Sequence, residues 1–317
     1  MDRLGFVIEA SEAQSMAEAS GLSLTQLLPS LVNSAQTLAR PPISNFHVAA
    51  VGLAPSGRIF VGVNLEFPGL PLHHSIHAEQ FLLTNLFLND ETHLHSFAVS
   101  AAPCGHCRQF LQELRGAPDI QLLITSDPNR EFTALSHFLP HRFGPHNLLS
   151  QDSPFLLEQH HNRLTLLTTT HQQYEYEHEH EHEHEHADSS SLPNGVCNGH
   201  ALDEKLKFVA LEAANKSHAP YSDSPSGVAL VDCGGNVYKG SYIESAAFNP
   251  SLGPLQAALV AYVAGGGGDY DRIVGAVLVE KDEATVKQEQ TARLLLHLIS
   301  PNCQFKTFLC CCSQPSP

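Results

Sequence analysis

The chain has 317 residues, enough to bury two cores, so a two-domain protein is expected. Its 17 basic against 33 acidic side chains give a formal charge of −16 at pH 7, an excess that repels phosphate backbones and argues against nucleic acid as substrate or partner. No apolar run reaches the roughly 20 residues that span a bilayer, the first nine residues read neither as a signal peptide nor as a transit peptide, and the 8 Cys are scattered without a disulfide framework, so a cytoplasmic protein with no membrane partner is expected.

Residues 24–38 place apolar side chains at helical spacing despite Pro29 and predict an amphipathic helix. Residues 46–53 and 58–65 then read as a hairpin closed by Pro55-Ser56-Gly57. Residues 77–88, rich in Leu and Phe, predict a helix buried on most sides. A strand over 96–102 leads into a second helix beginning near Cys104, and 120–125 supplies another strand. This order gives a three-layer α/β domain over residues 1–150.

Two strings open those last two helices: His77-Ala78-Glu79 and Pro103-Cys104-Gly105-His106-Cys107. One imidazole and two thiolates make a three-ligand zinc site whose fourth tetrahedral position stays open, as in a catalytic rather than a structural centre. Glu79 follows the His ligand by two positions and is not needed as a ligand, so it is free to carry protons. A helix N-terminus favours anions, which lowers the expected pKa of Cys104 and Cys107. Arg108 is a candidate to offset the thiolate charge. His73 and His74 are read as loop residues, because a fourth protein ligand would close the open position.

The pattern H-x-E followed by P-C-x-x-C is the signature of zinc nucleobase deaminases. Together with Asn45-Phe46-His47-Val48-Ala49 and Val63-Asn64-Leu65-Glu66-Phe67, it resembles the cytidine deaminases that act on free nucleosides, in particular the two-domain homodimeric type, with plant enzymes the nearer likeness. The resemblance implies a three-layer α/β/α fold, duplicated, with a mixed central sheet in each copy, and one Zn2+ per chain. It implies hydrolysis of cytidine and deoxycytidine to uridine and deoxyuridine with release of ammonia, a step of pyrimidine salvage. Glu79 would move one proton to ring N3 and a later one to the departing amine. Asn64 and Glu66 would bind the ribose hydroxyls, Phe46 would wall the pyrimidine, and the backbone around Ala78 and Cys104 would approach the substrate. Taken alone, Phe46 also reads as core, and Asn64 and Glu66 as solvent-facing residues of a strand end. Two other functions stay open: a polynucleotide cytosine deaminase, opposed by the acidic composition, and a catalytically silent zinc-binding scaffold, opposed by the intact Glu79.

Residues 151–200 read as a linker containing a low-complexity run at 174–186, where Glu alternates with Tyr or His. As a strand, this run would put every His on one face and form a metal-buffering or pH-sensitive patch. Without aliphatic residues it reads as a solvated spacer. Residues 201–317 then repeat the first domain in degenerate form. Ser217-His218-Ala219-Pro220-Tyr221-Ser222 matches Ala39-Arg40-Pro41-Pro42-Ile43-Ser44, and Pro254 and Gln256 fall at His77 and Glu79 with no Cys pair following. The copy is expected to fold and to hold no zinc. By the same resemblance Phe248 would be supplied to the partner subunit's pocket; read alone, it is equally a core aromatic. Cys310, Cys311 and Cys312 are expected in an exposed tail with no metal role.

Overall fold

The structure, a computed structural model, describes residues 4–167 and 199–312, so the His/Glu run at 174–186 lies outside the described residues. Two mixed sheets carry the chain, one in each copy. The first contains β1 (Val7–Ile8), β2 (Ala49–Leu53), β3 (Ile59–Val63), β4 (Ser96–Val99), β5 (Gln121–Ile124) and β6 (Thr133–Ala134), in the order β1-β3-β2-β4-β5-β6. The second contains β7 (Leu164–Leu166), β8 (Ser226–Asp232), β9 (Val237–Ser241), β10 (Ile273–Lys281) and β11 (Gln304–Cys312), in the order β7-β11-β10-β8-β9. Among the described strands, only β4 with β5 and β10 with β11 run parallel. The run β3-β2-β4-β5 therefore recurs as β9-β8-β10-β11 with the same directions, which is the expected duplication.

The helices are α1 (Ala10–Ser20), α2 (Leu24–Gln36), α3 (Ala78–Leu88), α4 (Gly105–Phe110), α5 (Leu135–Phe138), α6 (Pro145–Leu148), α7 (Gly199–Lys216), α8 (Pro254–Ala264) and α9 (Glu289–Ile299). Alternation along the strands sets the layers. In β8, Ala229 and Val231 pack with Ala210 and Ala214 of α7, whereas Val228 and Leu230 join the core containing Leu255 and Leu259 of α8. The second sheet thus lies between α7 and α8. In the first copy α2 and α3 pack on the sheet, and α3 and α8 pack on each other between the two sheets. This shared central layer explains why α3 and α8 are buried on nearly every face: each has a sheet on one side and its counterpart on the other. Among the described residues no helix is long and apolar enough to cross a membrane.

Close approach of helix and strand defines the register between the copies. A Cβ on Gly62 would lie 2.2 Å from the Ala78 carbonyl oxygen, and one on Gly240 would lie 2.0 Å from the Ala258 nitrogen and 2.5 Å from the Pro254 carbonyl oxygen, so both sites exclude a side chain. Isolated bridges agree: Leu65 pairs with Arg40 and Ile76, as Ile243 does with His218 and Leu252. Gln80 Oε1 accepts from the His77 N–H, and Gln256 Oε1 from the Gly253 N–H. His77 therefore corresponds to Gly253 and Glu79 to Leu255, one residue away from the sequence alignment. Gln256 matches Gln80 because both close the first turn of a helix, a constraint of hydrogen bonding that residue size and polarity do not reveal. The consequence for metal binding is unchanged, since neither Gly253 nor Leu255 offers a ligand or an acid.

Two other expectations are corrected. Residues 151–167 do not run free as a linker: Leu156 and Leu157 are buried in the main core, and Leu164 to Leu166 pair with Cys312 to Cys310 as the edge strand β7. The cysteines are accordingly not a tail. They end β11, and Cys310 is fully buried among Leu206, Ala210 and Val279, because β7 and α7 cover that end of the strand.

Candidate active site

His77 is the residue preceding the first turn of α3, and Cys104 occupies the same position for α4, one turn before Cys107. The Nδ1 atom of His77 stands 3.5 Å from Cys104 Sγ and 3.3 Å from Cys107 Sγ, and the two sulfurs are 3.7 Å apart. Tetrahedral zinc with bonds of about 2.3 Å to sulfur and about 2.0–2.1 Å to nitrogen would require separations of about 3.8 Å and about 3.5 Å. The three side chains fit zinc, and they form the single metal-ligating group found among the described residues.

Glu79 lies one residue inside α3 and is buried, with Oε2 3.3 Å from Cys107 Sγ. Burial pushes its carboxyl above the ordinary value, against the opposing effect of hydrogen bonds and the His77 ring. The Cys104 thiol is held down to about 3, first by its hydrogen bond with Cys107 and then by that with His77, while the same Cys104–Cys107 bond, reinforced by burial, drives Cys107 up. Bonding to Cys104 raises the His77 pKa against the effect of burial. Without metal the triad thus shares protons; zinc requires both sulfurs as thiolates and the ring neutral, so binding expels them.

His77, Glu79 and Cys104 line a cavity of about 440 Å³ together with Phe46, Asn64, Glu66, Ala78 and Leu72, and Cys107 is buried beside them without lining it. Asn64 holds the loop before β2, accepting from the Val48 N–H at 2.9 Å and donating to the Phe46 carbonyl at 2.9 Å. Glu66 Oε2 accepts from the Ile43 and Ser44 N–H groups, and Oε1 from Ser44 Oγ. Burial works to raise the Glu66 pKa, but these bonds outweigh it and leave the carboxyl below its ordinary value.

Residues 23–123 and residues 135–293 each match the family described as the cytidine and deoxycytidylate deaminase zinc-binding region. A relative in Arabidopsis thaliana, "Cytidine deaminase 1", is 59% identical, covering 98% of this chain and 99% of its own. The chain belongs to the cytidine deaminase family. "Cytidine deaminase 6" of the same plant is 50% identical over 89% of this chain and 91% of its own. Its "Probable inactive cytidine deaminase 4" is 41% identical over 97% and 96%.

Within this deaminase, the structure gathers His77, Glu79 and Cys104 with Phe46, Asn64, Glu66 and Ala78 around one cavity, and Cys107 joins His77 and Cys104 from the buried side. Phe46 is 61% exposed, a rim residue and not a core one. Phe248 is also outside the core, 66% exposed with φ +62°, and it is not among the residues lining its own chain's cavity. Arg108 points away from the thiolates: its Nε donates to the Pro103 carbonyl and Nη1 to the Phe138 carbonyl, so it braces the turn around the site without offsetting the sulfur charge. His73 and His74 sit in a short 3-10 turn outside the ligand triad.

Sequence reasoning missed the Ser44 clasp on Glu66. Its signal was present in the repeat, since Ser222 and Glu244 make the same contacts in the second copy. There the crevice beside Gly253, Leu255 and Gln288 has closed to about 10 Å³, too small for a pyrimidine.

Proposed function

We propose that this member of the cytidine deaminase family hydrolyses free cytidine and deoxycytidine at C4, consuming water and releasing ammonia with uridine or deoxyuridine. The observation that carries the reading is the buried Glu79 carboxyl set beside a three-ligand zinc triad, with Glu79, His77 and Cys104 lining one cavity. His77, Cys104 and Cys107 would hold the metal, which supplies an acidic water at neutral pH when bound.

Glu79 then handles the protons. Its raised pKa lets it hold the proton of the attacking water, deliver one to ring N3 and a second to the leaving amine. Asn64 and Glu66, each already fixed by the loop before β2, would meet the ribose hydroxyls; with three bonds in place, Glu66 keeps acceptor capacity for a fourth. Phe46 at the rim would cover the pyrimidine face. The first turn of α3, beginning at Ala78, has backbone N–H groups without intrahelical partners that can meet the O2 carbonyl oxygen of the pyrimidine.

The acidic composition and the Asn64/Glu66 pair support a nucleoside over a polynucleotide. We further propose a homodimer, supported by the exposure of Phe248 on a backbone conformation unusual for a bulky side chain, in which that ring completes the partner subunit's pocket. Cytoplasmic pyrimidine salvage is the setting that fits this substrate. Ammonia release from cytidine by the purified chain, with bound zinc measured alongside, tests the function. Stoichiometric zinc without ammonia release would favour a silent scaffold.

A further inference from the structure

Phe248 rides on a loop of the second copy, residues 245–250, that closes on itself through Phe248 N–H to Ser245 O at 2.8 Å and Ser251 N–H to Phe248 O at 2.9 Å. Both ends of that loop are gripped from the catalytic copy. Glu113 Oε1 accepts from the Ala246 N–H at 2.7 Å, and Gln80 Nε2 donates to the Pro250 carbonyl at 3.0 Å. Each gripping residue sits on an element that carries the zinc triad. Gln80 follows Glu79 in α3, and Glu113 ends the 3-10 turn that continues α4 beyond Cys107.

The two grips differ in origin. Gln80 on Pro250 is mirrored by Gln256 Nε2 on the His74 carbonyl at 2.9 Å, a pair related by the duplication. Glu113 has no such mate: α9 takes the place of α4 between the parallel strands of the second sheet, and it ends in Leu298 and Ile299, which offer no acceptor side chain. Glu113 is fully buried, and its second oxygen is also engaged, by Tyr221 Oη at 2.6 Å and His218 Nε2 at 3.4 Å. A buried polar side chain with partners on both oxygens fixes geometry more tightly than apolar packing does.

We propose that Glu113 is a positioning residue for the deamination: it locks the Phe248 loop of the second copy to the helix that carries Cys107. The kinetic consequence rests on the composite-site reading above, in which Phe248 serves a neighbouring pocket. The reach of the side chain matters here and its charge does not, since the Ala246 N–H needs an acceptor at the right distance.

The full-length chain with zinc tests this through Glu113→Asp, which keeps the charge and shortens the reach, and Glu113→Gln, which keeps the reach and one acceptor. Glu113→Asp is expected to raise KM for cytidine by about threefold to tenfold with kcat and zinc content near the parent's, and to speed hydrogen exchange in residues 245–250. Glu113→Gln is expected to restore both. The double variant with Phe248→Ala should be no worse in KM than Phe248→Ala alone, because both changes remove the same contribution. Multiplying effects, or equal KM for Asp and Gln, would overturn the coupling. Unchanged exchange in Glu113→Asp would overturn the clamp whatever Phe248 does, whereas an unchanged KM in Phe248→Ala would overturn the composite-site reading and leave the exchange result to decide the clamp.

Discussion

Replacing Gly62 with alanine drives a methyl group into backbone on the opposite element. Its Cβ would meet the Ala78 carbonyl oxygen at 2.2 Å and the Leu82 nitrogen at 2.4 Å, whereas carbon and oxygen approach to about 3.3 Å even in favourable weak contacts, so α3 must move by about 1 Å. Overpacking of this kind costs about 1–3 kcal/mol, and with backbone on both sides the upper end applies. For a chain of 317 residues that is a fall in Tm of roughly 4–5 °C. Because His77, Ala78 and Glu79 open the displaced helix, an error of about 1 Å should also lower turnover by about 10²-fold. Gly240→Ala supplies the control, since the same collision with α8, at 2.0 Å from the Ala258 nitrogen, occurs in the copy without a zinc triad. Thermal unfolding by circular dichroism, kcat for cytidine and bound zinc are measured for both. Comparable loss of Tm is expected, with loss of turnover confined to Gly62→Ala. A Gly62→Ala protein as stable and active as the parent, or equal loss of turnover in both variants, would refute the reasoning.

Glu79→Gln should keep its zinc, since the ligands are the three other side chains, and lose about 10²- to 10⁴-fold in kcat; loss of metal with activity would make Glu79 structural. Cys104→Ser should lose zinc, and metal analysis of a chain lacking residues 174–186 should return about one zinc per chain, two tightly bound ions being the contrary result. Burial, followed by the nearby His218 ring, holds the His160 imidazole down to about 4. The unfolded chain takes up that proton at about pH 6.5, so the contribution of neutral His160 is fully present above that pH and is lost as pH falls toward 4. His160→Phe should flatten the decline in Tm over that window, and an unchanged slope would remove His160 from the account. Residues 1–150 alone should aggregate, because the face of α3 that packs on α8 would be uncovered, and a soluble, fully active monomer in sedimentation would contradict this.

Local periodicity carried much of the fold. The hairpin β2-β3, the helices α2 and α3 and the strands β4 and β5 stand close to where their residue pattern puts them, with ends shifted by a few residues. Ser23 and Gln26 cap α2 reciprocally and hold its start at Leu24, whereas the strand read from Phe46 begins only at Ala49 because Asn64 holds the preceding loop. The edge strand β7 was unreadable, being three residues whose pairing partners lie 144 to 148 positions away in β11. Periodicity describes a face and not its occupant, so the apolar surround of α3 was visible while the identity of α8 as its cover was not.

By itself the sequence determined the chemistry of the centre, because His77 with Glu79 and Cys104 with Cys107 are each set by a single helical turn, and the ligand atoms need only two such turns to meet. It also determined the loss of that chemistry in the second copy, where no residue of ligating type stands in either alignment register. Tertiary structure decided the rest: the one-residue correspondence of the copies, the outward turn of Arg108, the burial of Cys310, the exposure of Phe248 and the grip of Glu113 on Ala246. That last contact joins residues 133 positions apart. Such contacts depend on how two sheets stack through α3 and α8, and the stacking is set by the combined packing of both copies, which no local spacing of residue types records.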